Sequence, residues 1–238
     1  MRIDLSMTAV YPASDQNFDH GFEEALTILK EVEKHRRFSK VWKCFGGNLW
    51  EEHDKVRSYF LQTPVNADPK DASFGVNFDN YGSDSVLEIP IELHYNWGDQ
   101  LNTVLLKFRQ YDNVHGLNYE QISPILKTII MWKNPMHLSL GSVSYAMHDH
   151  PLSMSRLGIR WIGWLPFNLN PSDVSEAEVV ENYLGGTFVA SQKLFWQPDE
   201  GYPGYSKEAI KRTQAVEIQL AQLGVLPTYP ELLSGAWR

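Results

Sequence analysis

Residues 86–111 read VLEIPIELHYNWGDQLNTVLLKFRQY. Two strand-like runs, Val86 to Tyr95 and Thr103 to Tyr111, flank the turn-forming Asn96-Trp97-Gly98-Asp99, which is the pattern of a β-hairpin. Strands that adjoin without an intervening helix argue against a doubly wound α/β sheet. They favour an α+β fold, a mostly antiparallel sheet with packed helices. Upstream, residues 2–10 place Ile3, Leu5, Met7 and Ala9 on one side, a period of two that reads as an opening strand. From Phe18 to about Lys34 the period changes. Phe18, Phe22, Ala25, Leu29 and Val32 step by four and three, laying an apolar stripe on a helix.

Further elements follow from local signals. Ser39 to Phe45 reads as a strand closed by Gly46-Gly47, and Trp50 to Leu61 as a short helix. The polar, Asp-, Asn- and Gly-rich stretch from about Thr63 to Ser85 reads as a long loop. Ser123-Pro124 has the form of an N-cap with proline at the first helical position, followed by an apolar helix ending before Pro135. Strands are expected near 138–146, 157–165 and 187–193. The last helix is capped by Ser206, carries Ala209, Thr213, Val216, Leu220 and Leu223 on one stripe, and stops at Gly224 before Pro227. Neither a repeat nor a low-complexity linker divides the chain, so residues 1–238 are expected to form one domain.

The 238 residues carry 21 Lys and Arg against 29 Asp and Glu, a formal charge of −8, with 43% hydrophobic and 13% aromatic residues. That composition excludes disorder, and a chain of this length buries enough surface to need no staples. The single Cys44 cannot form an internal disulfide or a thiolate zinc cluster, which fits a reducing cytosol. Net acidity argues against direct binding of nucleic acid, whose phosphates need clustered Lys and Arg. The first ten residues lack a signal-peptide core, and no run approaches about 18 uncharged apolar residues, so a cytoplasmic protein without a membrane span is expected.

Catalytic constellations are sparse. His148-Asp149-His150 would point both imidazoles the same way in a strand, so a small metal-dependent hydrolase built on His148 and His150 is one reading. The other is a polar turn before Pro151. Neither HExxH, CxxC, a P-loop nor GxGxxG occurs. Gly141-Ser142-Val143-Ser144-Tyr145 lacks the second glycine of a nucleophile elbow. Asp68-Pro69-Lys70, the lone acid-x-Lys of nuclease type, has proline at its centre. Trp161 and Trp164 read as core, and Cys44 as a small buried hydrophobe.

Charge is unevenly spread. Asp68, Asp71, Asp79, Asp84, Glu88 and Glu92 face Lys70 alone between residues 64 and 92. Asp173, Glu176, Glu178, Glu181, Asp199 and Glu200 face Lys193 alone between 171 and 200. Such segments are either solvated loops or an acidic face that steers a basic partner.

Three stretches resemble the immunity protein 52 family: Ile125 to Pro135, closing on Trp132-Lys133-Asn134-Pro135; Gly185-Gly186-Thr187-Phe188-Val189-Ala190-Ser191; and Gln214 to Pro227, ending in Leu223-Gly224-Val225-Leu226-Pro227. The resemblance implies a non-enzymatic immunity protein without cofactor or metal. It would neutralise a cognate toxin of a polymorphic or type VI secretion system, in this family a restriction-endonuclease-like DNase. The expected partner-binding residues are Asp173, Glu176, Glu178, Glu181, Asp199 and Glu200, with Phe195, Trp196 or Tyr205 as aromatic anchors. A scaffold that only forms a homo-oligomer is a third reading.

Overall fold

A computed structural model describes residues 4–14, 17–35, 42–44, 47–63, 66, 73–79, 91–98, 101–109, 117–195 and 206–237. The expected strand over 39–45 lies mostly outside these, as do Asp68-Pro69-Lys70 and most of the first acidic segment. Among the described residues ten strands form one sheet: β1 (Asp4–Tyr11), β2 (Lys43–Cys44), β3 (Gly47–Asn48), β4 (Ser73–Asp79), β5 (Ile91–Gly98), β6 (Asn102–Arg109), β7 (His137–Ser142), β8 (Ile162–Leu165), β9 (Val179–Tyr183) and β10 (Gly186–Ala190). Their order is β3-β2-β4-β5-β6-β1-β7-β8-β10-β9, and each pairing between neighbours is antiparallel. The α+β expectation with an antiparallel sheet therefore holds, and β5 and β6 form the expected hairpin. The opening strand β1 sits mid-sheet, between β6 and β7.

Six helices accompany the sheet among the described residues: α1 (Phe18–Glu33), α2 (His53–Leu61), α3 (Tyr119–Trp132), α4 (Val143–His148), α5 (Lys207–Gln222) and α6 (Tyr229–Leu233). Helix α1 starts where Asn17 accepts the His20 N–H at 2.9 Å, and its predicted stripe of Phe18, Phe22, Ala25, Leu29 and Val32 is buried throughout. Helices α1 and α3 cover one face of the sheet. Leu5, Met7 and Ala9 of β1, Leu93, Tyr95 and Trp97 of β5, and Ile162 and Trp164 of β8 join them in the main core. On the opposite face, Leu165 and Val189 pack with Val216 and Leu220 of α5 in a second, smaller core. Alternation along β8 and β10 thus feeds both cores. Among the described residues no helix is long and apolar enough to cross a membrane.

Several elements differ from expectation. Strand β4 lies inside the stretch read as a loop, because Val76 and Phe78 alternate inward between polar neighbours. Helix α3 begins at Tyr119, not after Ser123. Asn118 and Gln121 form a reciprocal capping box that recruits an earlier turn, and Pro124 sits inside the helix. The expected strand over 138–146 ends at Ser142, whose hydroxyl accepts the Tyr145 N–H and starts α4 instead. The strand expected over 157–165 shrinks to β8, because Arg160 takes a positive φ of 61°. Strand β9 and helix α6 are additional.

Gly21 marks the closest approach of α1 to the sheet. A Cβ there would meet the Trp97 indole at 2.0 to 2.5 Å. We expect Gly21→Ala to destabilise the fold by about 2 kcal/mol, overpacking outweighing the gain of about 1 kcal/mol in helix propensity. Thermal unfolding checks this, and a higher Tm would contradict the packing assigned to α1.

Candidate functional site

Strand β9 is an edge of the sheet and carries Glu181 of the second acidic segment. Val179, Glu181 and Tyr183 alternate with Val180 and Asn182; Val179 and Tyr183 pack on the main core and Val180 on the second. Glu181 is not free to meet a partner. Its carboxylate accepts from Lys127 Nζ at 2.6 Å and from the Tyr119 hydroxyl at 2.8 Å. Burial pushes its pKa up, but these two hydrogen bonds outweigh it and hold the group below the usual carboxylate range. Glu178 accepts the Lys193 N–H at 2.7 Å and lies 3.9 Å from Arg212. Asp173 is exposed and accepts the Asn170 N–H at 2.8 Å, closing a local turn. Glu176 is exposed too, anchored through its backbone N–H to Gln219. Asp199 and Glu200 lie outside the described residues, as do Trp196 and Tyr205.

The segment from Asn168 to Gly186 holds four acidic residues and no basic one. Lys127 and Arg212 come from distant sequence to offset Glu181 and Glu178, so the outward negative charge concentrates at Asp173 and Glu176. Phe195 cannot serve as an aromatic anchor: it is buried, with its ring centroid 4.8 Å from that of Trp161. Trp161 and Trp164 are fully buried, as expected of core residues. Cys44 is buried and its thiol is pushed up to about 12, mainly by burial with Asp79 adding to it, so it behaves as a small hydrophobe.

His148 and His150 are not brought together. His148 ends α4 and is exposed, while His150 follows the Asp149 cap and turns inward. Among the described residues no group of three or more His, Cys, Asp or Glu is placed to hold a metal. His150 instead joins a buried cluster. His150 Nδ1 lies 3.3 Å from the Leu152 backbone nitrogen and 3.5 Å from the Leu152 carbonyl, and Nε2 lies 3.5 Å from Glu217 Oε2. Glu217 Oε2 accepts from the Tyr145 hydroxyl at 2.8 Å, and Oε1 from the Arg160 N–H at 2.8 Å. The Arg160 side chain reaches across β7 to Ser139 and the Gly141 carbonyl, and on to Ser6 Oγ of β1 at 2.9 Å. His137 is buried nearby. Its pKa falls to about 3 through burial and the Arg160 charge, against an opposing hydrogen bond with the Gly158 backbone.

Sequence reasoning missed this cluster, although a signal was present. Glu217 lies four residues after Thr213 and three before Leu220, on the very stripe that marks α5 as buried. Burial pushes its carboxyl up to about 7, against the hydrogen bonds from Arg160 and Tyr145 and the Arg160 charge. Glu217 is wholly inaccessible, so no substrate atom reaches it and the cluster acts as an internal tie.

No family model matches this chain, so the resemblance to immunity protein 52 rests on the quoted residues alone. No curated protein matches its sequence. Among solved structures, a T6SS protein of Pseudomonas aeruginosa aligns over 91% of this chain and 76% of its own, at 8% identity and a TM-score of 0.46.

The cluster makes stability depend on pH. Folded Glu217 holds its proton up to about pH 7, against an ordinary value of 4.5. Its contribution is therefore intact below about pH 4.5 and is lost as pH rises through about 7. Glu217→Gln removes that loss. Between pH 5 and pH 8 the unfolding free energy of the variant should gain on wild type by on the order of 3 kcal/mol. Urea denaturation at both pH values checks it, and a difference that does not change with pH would contradict the assignment.

Proposed function

We propose that this chain is an immunity protein. It binds a cognate secreted nuclease toxin, of the restriction-endonuclease-like DNase kind, and neutralises it stoichiometrically without catalysis, cofactor or metal. The observation that carries the reading is the run from Asn168 to Gly186, which has no cation of its own and includes the edge strand β9. A nuclease must gather cations to hold DNA phosphates. A carboxylate-bearing surface competes for those cations and speeds encounter by electrostatic steering. The resemblance in the α3, β10 and α5 segments supports the same reading and supplies the type VI or polymorphic-toxin setting. The histidine pair gives no support to a metal-dependent hydrolase, since only His150 faces inward.

Asp173 and Glu176 are the residues to vary, because Glu178 and Glu181 have internal partners. The double reversal Asp173→Lys/Glu176→Lys should weaken binding to the cognate nuclease toxin by about 10-fold at low salt, as expected for losing roughly 1–2 kcal/mol at exposed charges. Most of the change should fall on the association rate. Stopped-flow and calorimetric titrations read both. Unchanged affinity at low salt would remove carboxylates from the binding account.

A further inference from the structure

Residues 149–158 cross Glu217 as a strap. They lie outside the helices and strands, apart from an isolated bridge between Arg156 and Thr228. Pro151, Ser153, Met154 and Ser155 are exposed, and Leu152 packs against the second core. Hydrogen bonds fasten the strap to α5 and to the segment beyond it. Gln214 Nε2 donates to the Asp149 carbonyl at 2.7 Å, and the Arg156 side chain donates to the Leu226 carbonyl. The Leu157 N–H reaches the Pro227 carbonyl at 2.8 Å, and the Tyr229 N–H reaches the Ser155 carbonyl at 2.7 Å.

Beneath the strap the Glu217 carboxyl has no access to solvent. The backbone presses directly on it, since a Cβ on Gly158 would lie 2.1 Å from Oε1 and 2.5 Å from His150 Nε2. Titratable and charged groups face the carboxyl from each neighbouring element. Helix α4 brings the Tyr145 hydroxyl, on which the Asp149 charge also acts. The strap brings His150 Nε2, which is buried with no hydrogen-bond partner. Arg160 brings its N–H and its guanidinium charge, and that charge also acts on His137 of β7. A carboxyl so placed is neutral while sealed and ionised once water reaches it. Water enters by displacing one of the covers. Tyr145 is fully buried in the main core, and Arg160 is pinned to Ser6, Ser139 and the Gly141 carbonyl. The strap, half in solvent and without a ladder, is the cover held most lightly.

We propose that residues 149–158 form a proton-operated latch, closed when Glu217 is protonated and driven open when it ionises. The latch is independent of the immunity reading and works on the face of the sheet that α5 covers. Its direction follows from linkage. Closed, Glu217 keeps its proton to about pH 7; open, it returns to an ordinary value of 4.5. Closure is therefore fully favoured below about pH 4.5, and the opening equilibrium rises until about pH 7. Burial holds His150 below its ordinary value of 6.5, so the rise above that pH belongs to Glu217.

Amide hydrogen exchange on the full chain between pH 5 and pH 8 tests the latch. Each rate is divided by that of Glu217→Gln at the same pH, which cancels the intrinsic pH dependence of exchange. The Leu157 and Tyr229 amides, which join the strap to the segment after α5, are the reporters. At low urea we expect them to exchange faster than the amides of β1 and β6, with little dependence on urea. Their rate relative to Glu217→Gln should rise about 50-fold from pH 5 to pH 8. Tyr145→Phe removes a donor that favours the ionised carboxyl, so in that variant the rise should continue to higher pH than in wild type. Reporter amides that open only with the urea dependence of β1 and β6 would overturn the latch, because Glu217 would then ionise through global unfolding alone. A flat ratio, or a rise that ends at the same pH in Tyr145→Phe as in wild type, would also overturn it.

Discussion

A single buried contact organises the C-terminal half of the molecule: the Arg160 N–H on Glu217 Oε1, with the Arg160 guanidinium spread across β7 onto β1. Burying the Arg160 guanidinium is expensive unless its donors are paired, and here Ser6, Ser139 and the Gly141 carbonyl accept them while the Arg160 backbone N–H holds Glu217. The geometry around them admits little else. A Cβ on Gly158 would lie 2.1 Å from Glu217 Oε1 and 2.5 Å from His150 Nε2, so the chain can pass only as glycine. Arg160 turns the chain through a left-handed φ, and β8 begins two residues later. Strand β10 pairs with β8 and β9 with β10, so the acidic edge is positioned by a tie lying three strands inward.

That dependence separates what the chain says locally from what it says only when folded. Helices α1 and α5 were legible because their signals lie within one segment: the apolar stripe from Phe18 to Val32 in one, the Ser206 cap, the stripe and the Gly224 stop in the other. The β5–β6 hairpin was legible for the same reason. Strand β4 was hidden, because Asp and Asn around Phe74, Val76 and Phe78 imitate a loop until β5 supplies its partner. Helix α4 was hidden by one hydroxyl: Ser142 ends a strand pattern by capping a helix. The carboxylates at 173, 176, 178 and 181 were read correctly as a cluster in sequence, but not their partners. Lys127 is 54 residues from Glu181 and Arg212 is 34 from Glu178, so only the fold could show that two of the four charges are spent internally. Glu217 and Leu184 are single residues out of keeping with their setting, a carboxylate on an apolar stripe and a leucine in a left-handed turn, and each is visible as a conflict only once the element is known.

On the proposed immunity reading, these features would serve encounter with a partner. Among the described residues the one carboxyl held near neutrality is sealed from solvent, and His150 beside it is turned inward. Outside, two carboxylates keep their charge free of the sheet's cations. Such a division, with a sealed interior tie and a small exposed set of charges, lets a protein bind without rearrangement and so lose little ordering entropy on association.

The central claim is stoichiometric neutralisation of a nuclease. The most direct measurement is DNA cleavage by a candidate cognate nuclease, titrated with the purified wild-type protein. The account predicts activity falling linearly to zero with a break at equal molarity. Cleavage that persists at several-fold excess of this chain would contradict it.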